Sequence, residues 1–544
     1  MKLDKKSALG FVNFDSGVGS NNEVEIRVPY DKLIELSRGK YVIIPHDADG
    51  YYYLARLTRG PFFTPDAVSR DSVFARASIV QASDIAFIPD YHGVGYCELI
   101  GLFHYSSSHL SGVQTRPHPK SPVFNLPPDK IQELLKLKGN MYLGQLSGYE
   151  GIRVYLDANS KVVLPRNLGI FGTVGSGKTN SSQVLIEEAS AAGWAVVVLD
   201  VEGEYISMDK PNSEIEHNPG LKKKAEQYLI TPEGLRSFQV YHPASTDSKR
   251  NDSLEFSIPF GSISPYELSA IMGMNETQED RFIDLWDKQV ADIVYKTTRP
   301  KNPKNQWKAI EDNKFQEEPE YPDLTIQSLL ERLNIEVSEQ KGSSKASWLV
   351  VKRLLHRLRR FGVFDSTDDL LDVGDFLKAG KVSVLDLSNS YTIHVNNIVI
   401  AYLLRKIFDS KILNPDLPPT IIFIEEAHTF VSKENASKMG ALLDRLREIT
   451  RRGRKRWLGL CFISQQPSHL PEEIFELCNT KIIHQTTGSR NLNALKISGG
   501  NVNEAIWDDV PTLGQGKSII ISPQFQHPIM TNMRICKTNR EHTD

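Results

Sequence analysis

The sequence predicts an α/β fold: a mostly parallel sheet flanked by helices, with a small β-barrel ahead of it and a mainly helical insertion within it. Three observations predict this. Apolar strands alternate with helices from about residue 140, one such strand runs into a glycine-rich turn, and another ends abruptly in two acids. At ~150 residues per domain, 544 residues give three or four domains. With 40% hydrophobic and 24% charged residues, the chain can bury real cores. Lysine and arginine number 64 against 67 acids, a net charge of −3, so a surface for a polyanion would have to be concentrated locally. No apolar run approaches the ~18 residues that cross a bilayer, and the opening MKLDKKSALGFVNFDSG has no apolar signal region; the expected address is cytoplasmic, with no membrane partner. Cys97, Cys461, Cys478 and Cys536 form no C-x-x-C pair, which argues against a zinc site and a disulfide framework.

Residues 1–115 read as β. Alternating runs at Glu23–Val28, Lys40–Ile44 and Tyr51–Leu57, broken by Arg38-Gly39 and Asp47-Ala-Asp-Gly50, have the period and turn punctuation of a small barrel or sandwich. Pro117, Pro119, Pro122, Pro127 and Pro128 mark 116–140 as a proline-rich linker, because prolines disfavour any continuous element. The core is expected over 141–205 and 376–540. There, Val162–Phe171 ends in the glycine turn, Lys178–Ala192 is helical and Trp194–Leu199 is a strand; further strands are expected at Val382–Asp386, Thr420–Ile424, Gly459–Ile463 and Ile519–Ile521. Residues 206–375 form the insertion. Ser264-Pro265-Tyr266-Glu267 has the pattern of a capping box, and Phe282, Leu285, Trp286, Val290 and Ile293 recur at helical steps. A helix over Trp348–Phe361 places Leu354, Leu355, Leu358 and Phe361 on one side and Lys352, Arg353, Arg357, Arg359 and Arg360 on the other. Residues 296–323, rich in Pro, Asn, Lys and Glu without a period, are expected to form a mobile loop.

Gly172-Thr-Val-Gly-Ser-Gly-Lys-Thr179 fits G-x-x-x-x-G-K-[ST] in full, between an apolar strand and a helix. Glycines let backbone N–H groups converge on phosphates, Lys178 adds a point charge and the Thr179 hydroxyl reaches Mg²⁺. Gly172, Thr173, Val174, Gly175, Ser176, Gly177, Lys178, Thr179 and Asn180 are therefore the expected ATP-binding residues. Gly514-Gln-Gly-Lys-Ser518 is a decoy, since Pro511 stands where the first glycine belongs and a strand follows. Thr420–Ile424 runs into Glu425-Glu426-Ala427-His428. Glu425 is expected to hold Mg²⁺ and Glu426 to polarise the attacking water, while His428 reads as structural. The chain has one cradle only, and a single core of this type usually shares its site with a neighbour in a ring.

The run RLREITRRGRKR at 445–456 holds six arginines and one lysine against Glu448. Its bland reading is a solvated helix face. Gly453 interrupts the helix, however, and an apolar strand follows at once, so an arginine on the lip near the acids is expected to reach a neighbour's γ-phosphate. Arg454 is the candidate, with Arg451, Arg452 and Arg456 as alternatives. Gln465, at the tip of that strand, reads as a γ-phosphate sensor, and Arg166 as a second cationic contact. Asp200, at another strand end, either orients water or Mg²⁺ or caps its turn.

Together these residues resemble the HerA family of hexameric DNA-translocating ATPases, relatives of the FtsK motors. The resemblance rests on Arg38-Gly-Lys-Tyr-Val42, GTVGSGKTN at 172–180, D-x-x-G-E-Y at 200–205, EEAH at 425–428, RRGRKR at 451–456 and SQQPSHLPEEI at 464–474. It implies a RecA-like P-loop ATPase core with a HAS-barrel-like N-terminal domain, and a homo-hexamer that uses ATP and Mg²⁺ and threads double-stranded DNA through its pore. It also implies a partner docked on the barrel, either a NurA-like nuclease or a defence effector (a nuclease or a sirtuin-like NAD-hydrolysing enzyme). By the same resemblance Glu426 is the catalytic acid, Arg454 the finger and Gln465 the sensor. The expected function is an ATP-driven DNA translocase or helicase working with that effector, in DNA end processing or anti-phage defence. The alternative is an ATP-binding ring scaffold that activates its partner without obligatory translocation; a protein-unfolding ring fits less well, because no lid domain is recognisable after the core.

Overall fold

A computed structural model describes residues 5–14, 21–66, 90–298, 320–341, 343–367, 369–390, 392–430, 440–500 and 502–541. The chain divides into two compact units, Met1–Asp157 with Ile483–Thr487 and Gly499–Met533, and Ala158–Ile482 with Gly488–Ser498 and Arg534–Asp544.

In the first unit, β1 (Gly10–Val12), β2 (Glu23–Val28), β3 (Tyr41–Pro45), β4 (Tyr51–Pro65), β5 (Tyr91–His104) and β6 (Pro122–Asn125) close a barrel in the order β1-β2-β5-β4-β3-β6. From Gly93 onward every second residue of β5 is buried, so one face fills the interior with Val24, Ile26, Val42, Ile44, Leu57 and Cys97. Register shifts along β4 and β5 let this long pair bend around the barrel. The expected linker at 116–140 requires correction. Its β6 pairs with β1 and β3, and a helix follows at Pro128–Leu134. The prolines tolerate both elements, since Pro122 opens its strand and Pro128 occupies a first helical turn, where a missing N–H costs little. β7 (Met141–Leu146) and β8 (Arg153–Leu156), assigned by sequence to the core, form a hairpin in this unit.

The second unit carries β9 (Leu168–Phe171), β10 (Ala195–Asp200), β11 (Phe238–Pro243), β12 (Leu254–Phe256), β13 (Val382–Asp386), β14 (Thr420–Ile424), β15 (Leu458–Ser464) and β16 (Thr480–Ile483), in the order β12-β11-β13-β10-β14-β15-β9-β16. Pairing from β12 through to β9 is parallel. Every residue of β10, β13, β14 and β15 is buried, which is why these strands read as unbroken apolar runs. The expected helical insertion therefore also contributes two strands, β11 and β12. Phe238-Gln-Val-Tyr-His-Pro243 is short and half polar, so it carries no apolar run to announce it. The first unit is completed by β17 (Lys517–Ile521) and β18 (Ile529–Met533), antiparallel to each other, with β18 antiparallel to β7. The 514–518 decoy thus leads into a strand, and Arg38–Asp509 (2.8 Å), from the turn before β3, and His527–Glu98 (3.2 Å), from β5, tie the barrel to 499–533.

Helices α1 (Lys178–Ala191), α2 (Pro265–Met272), α3 (Glu276–Thr298), α4 (Ile326–Glu339), α5 (Ser343–Arg360), α6 (Ile393–Leu413) and α7 (Gly440–Arg452) also belong to the second unit. The capping box expected at 264–267 does not form: Ser264 makes no side-chain cap, and Glu267 instead lies 3.8 Å from Arg405 and 3.5 Å from Arg445. Thr325 and Ser328 make a reciprocal box at the start of α4. Of the expected mobile loop, residues 299–319 lie outside the described residues, and α3 runs to Thr298. Among the described residues no helix is long and apolar enough to cross a membrane, and the four cysteines are buried and free.

Arg534 is fully buried between Glu187 and Glu188 of α1, at 2.8 and 2.7 Å, and Glu187 also accepts the backbone N–H groups of Lys537 and Thr538. Arg534→Ala should cost ~3–5 kcal/mol, because two buried carboxylates lose their cation. The check is a thermal melt, in which adding Glu187→Gln and Glu188→Gln should restore part of the loss.

Candidate functional site

Strand register builds the site. Phe171 of β9 lies opposite Ser464 of β15, Phe462 opposite Ile424 of β14, Ile424 opposite Leu199 of β10, and Asp200 opposite Asp386 of β13. The chain therefore leaves the carboxyl ends of adjacent strands at Gly172, Gln465, Glu425 and Asp200, on the one edge where parallel sheets bind ligands. Because β15 stands between β9 and β14, Gln465 emerges between the glycine turn and the acids.

The turn from Gly172 to Gly177 passes through left-handed backbone at Gly175 (φ 73°) and Gly177 (φ 108°), conformations that side chains resist. Val174 stands exposed at the crest, while Ser176 Oγ donates to Thr173 O at 2.7 Å. Lys178 Nζ donates to the same carbonyl at 2.9 Å. Burial pushes the Lys178 ammonium pKa down, against the opposing pull of Glu426, Glu204 and Glu425. Thr179 sits in the first turn of α1. The Asn180 side chain turns away from the cradle: its Nδ2 donates to Arg534 O at 2.8 Å and its Oδ1 accepts the Cys536 N–H at 2.9 Å. Three residues into a helix, its side chain faces the C-terminal segment, so the expected nucleotide contact of Asn180 would be made by its backbone N–H.

Asp200 is wholly buried and accepts three backbone N–H groups, from Gly203 (2.7 Å), Glu204 (3.2 Å) and Tyr205 (2.9 Å). Of the two roles left open for it, the geometry realises the cap. Burial, with a smaller contribution from Asp386, pushes its pKa up to about 6, partly offset by a hydrogen bond with Glu425 and by the backbone N–H groups of Tyr205 and Gly203. Glu425 is held well above the ordinary carboxylate range, first by burial and then by Asp200 and the acids around it. Among the described residues no three His, Cys, Asp or Glu side chains are grouped to hold a metal unaided. The oxygen-only pair of Thr179 hydroxyl and Glu425 carboxylate still fits Mg²⁺, which usually takes one or two protein ligands together with substrate phosphates.

Glu426 has left-handed backbone (φ 43°), unusual for a residue with a side chain. Gln465 Nε2 donates to its Oε1, and His428 Nδ1 lies 3.1 Å from its Oε2 and 3.2 Å from Ser464 Oγ. Burial raises the Glu426 pKa, but His428, Gln465 and the Lys178 charge outweigh it and hold the group below its ordinary value. A buried carboxylate that stays ionised carries the charge needed to polarise water. His428, read from sequence as structural, thus touches the expected catalytic acid. The signal was its two-residue offset from Glu426, across the turn that opens the next helix. Glu204, quoted in a motif but given no role, is a further acid acting on Lys178.

The two arginines stand elsewhere. Arg454 lies in the turn Gly453–Arg456 before β15, and Arg166 in the turn Leu164–Arg166 before β9, both at the amino ends of the strands. Seven residues of β15 at ~3.3 Å each put Arg454 more than 20 Å from its own subunit's Gln465. The expectation that the run borders its own acids is thereby corrected, because β15 carries it to the opposite edge. Arg445, Arg447 and Arg452 of the same run are paired to Glu448, Asp444 and Glu473, or Glu448, whereas Arg451 and Arg454 make no ion pair among the described residues.

The family model described as "Helicase HerA, central domain" matches residues 141–407, and "Helicase HerA-like C-terminal" matches 325–519. The chain belongs to the HerA family. It is accordingly a P-loop ATPase of the HerA/FtsK type. "Probable helicase MJECL08" of Methanocaldococcus jannaschii is 24% identical to it, over 94% of this chain and 93% of that protein. "DNA double-strand break repair helicase HerA" of Saccharolobus solfataricus is also 24% identical, over 91% and 87%. The solved structure of VirB4 of Thermoanaerobacter pseudethanolicus aligns with 73% of this chain and 96% of that one, at 14% identity and a TM-score of 0.44.

Lys178→Ala removes a charge whose hydrogen bond is to its own loop, so ATP hydrolysis should fall by at least ~10²–10³ while the protein still melts as a folded chain; phosphate release and a melt measure the two. A raised carboxyl pKa stabilises the fold fully below the ordinary Asp value of 3.8, and that contribution is lost as pH rises through about 6. The melting temperature of Asp200→Asn, relative to the parent, should therefore climb between pH 4 and pH 7. A constant difference would contradict the shift.

Proposed function

We propose that this ATPase works as a homo-hexameric ring that drives double-stranded DNA through its centre, with each nucleotide site completed by the adjacent subunit. The observation that carries the reading is the division of parts across the sheet. Cradle, acids and Gln465 share one edge, while Arg454 and Arg166 stand at the other, beyond reach of their own cradle. In the proposed site, backbone N–H groups and Lys178 hold the phosphates, and Thr179 and Glu425 hold Mg²⁺, which neutralises phosphate charge when bound. Glu426 polarises water and Gln465 distinguishes the states of the γ-phosphate. The adjacent subunit's Arg454 stabilises charge in the transition state, with Arg166 as a second cation. A cation supplied across the interface couples hydrolysis to movement of one subunit against the next.

DNA is the proposed substrate because relatives of this chain are described as DNA double-strand break repair helicases. Pore contacts to phosphates would make binding independent of sequence and weakened by salt. We further infer a partner effector, a nuclease or an NAD-hydrolysing enzyme, docked on the barrel, with a role in DNA end processing or anti-phage defence. The closed barrel favours a second reading too, a ring scaffold that activates its partner, since the hydrolytic chemistry makes no use of that barrel. Effector activity that persists in Glu426→Gln favours the scaffold; its loss together with DNA movement favours the motor.

Arg454→Ala should leave ATP binding intact and cut DNA-stimulated hydrolysis by ~10³-fold or more. Mixing it with Glu426→Gln subunits should restore part of the rate, because some interfaces then pair an intact acid with an intact arginine. A mixed population as dead as either parent would place the finger elsewhere.

A further inference from the structure

Against a chain of net charge −3, one surface is conspicuously cationic. Helix α5 has no acidic residue from Ser343 to Arg360, and it carries Lys345, Lys352, Arg353, Arg357, Arg359 and Arg360. Its apolar positions Trp348, Val351, Leu355 and Leu358 are buried, at 5%, 0%, 0% and 1% exposure, which fixes the orientation of the helix. Lys345, Arg353, Arg357, Arg359 and Arg360 are exposed, and Lys352 is half-buried. At 100° per residue these six cations fall within one side of the helix, spread over ~22 Å of its axis. None of them forms an ion pair among the described residues. Of the acids on the helices packed against α5, Asp284 and Glu336 are paired to Lys288, and Asp292 to Arg332.

Unpaired cations this close repel one another, and a polyanion relieves that repulsion by displacing its counterions. We propose that the outward face of α5 binds the sugar–phosphate backbone of double-stranded DNA, as a site separate from the nucleotide cradle. The proposal rests on the DNA-translocating reading and assigns that substrate a contact on the insertion. Duplex DNA suits the geometry: its charge density, one phosphate per ~1.7 Å of axis, lets a straight row of cations on a rigid helix meet several phosphates at once. Planar arginine side chains, four of the six, favour paired hydrogen bonds to phosphate oxygens.

The test compares three full-length variants for binding to mixed-sequence duplex DNA across a salt series, with thermal melts as the folding check. In the first, Arg353, Arg357 and Arg360 become Gln; in the second, the same positions become Lys. The third changes Lys222, Lys223 and Lys224 to Gln, an equal charge loss on another exposed helix of the same unit. The Gln variant on α5 should bind at least ~100-fold more weakly at low salt and lose ~2–3 units of log–log salt slope, about 0.9 for each phosphate contact removed. The Lys variant should keep most of the slope, and the control variant all of it. An unchanged slope on α5, or an equal loss in the control, would overturn the proposal. So would a binding defect that persists in a correctly folded Lys variant. DNA-stimulated hydrolysis is read in parallel: binding through α5 without stimulation would sink the motor reading and leave this surface standing, while stimulation with α5 silent would do the reverse.

Discussion

Everything chemical in this protein depends on the parallel register of β9, β15 and β14. Parallel strands all discharge their loops at the same edge, so pairing Phe171 with Ser464 and Phe462 with Ile424 delivers the phosphate turn, a polar amide and two acids to one place. A one-residue slip would turn each strand's side chains to the opposite face and separate these groups. Burial on both faces prevents it. The strands are walled by helices, and any slip would have to repack a core in which β10, β14 and β15 expose nothing.

That burial has an electrostatic consequence. Asp200, Asp386 and Glu425 leave the sheet side by side; burial is the main force raising the pKa values of Asp200 and Glu425, with Asp386 adding to the first and Asp200 to the second. Glu426, one residue on, escapes this fate because left-handed backbone turns it toward Gln465, His428 and Lys178. Adjacent residues of one chemical type thus acquire opposite proton affinities from a single backbone turn.

The sequence was most legible where local physics and tertiary demand agree. The apolar runs at Val382–Asp386 and Thr420–Ile424 match their strands residue for residue, and the glycine pattern at 172–179 marks its turn. It was least legible where burial overrides composition. Proline-rich residues 122–134 yield a strand and a helix because their prolines fall at first positions, and β11 hides in a half-polar run that the sheet edge tolerates. The place of the Asn180 side chain was hidden for a related reason. Motif spacing says which residues open a helix, but not that the chain's last segment returns to hydrogen-bond the side chain of the third.

The arginines carry the argument beyond one subunit. Proximity in sequence to a strand of the site suggested proximity to the site, yet a strand has two ends. β15 is buried along its whole length, so it cannot bend to shorten the path from Arg454 to Gln465. No side chain spans seven extended residues. For Arg454 to act on a nucleotide as proposed, another copy must present its carboxyl edge there, and a head-to-tail contact of that kind closes into a ring where its rotation closes and otherwise extends as a filament. The proposed ring is the closed case of that contact.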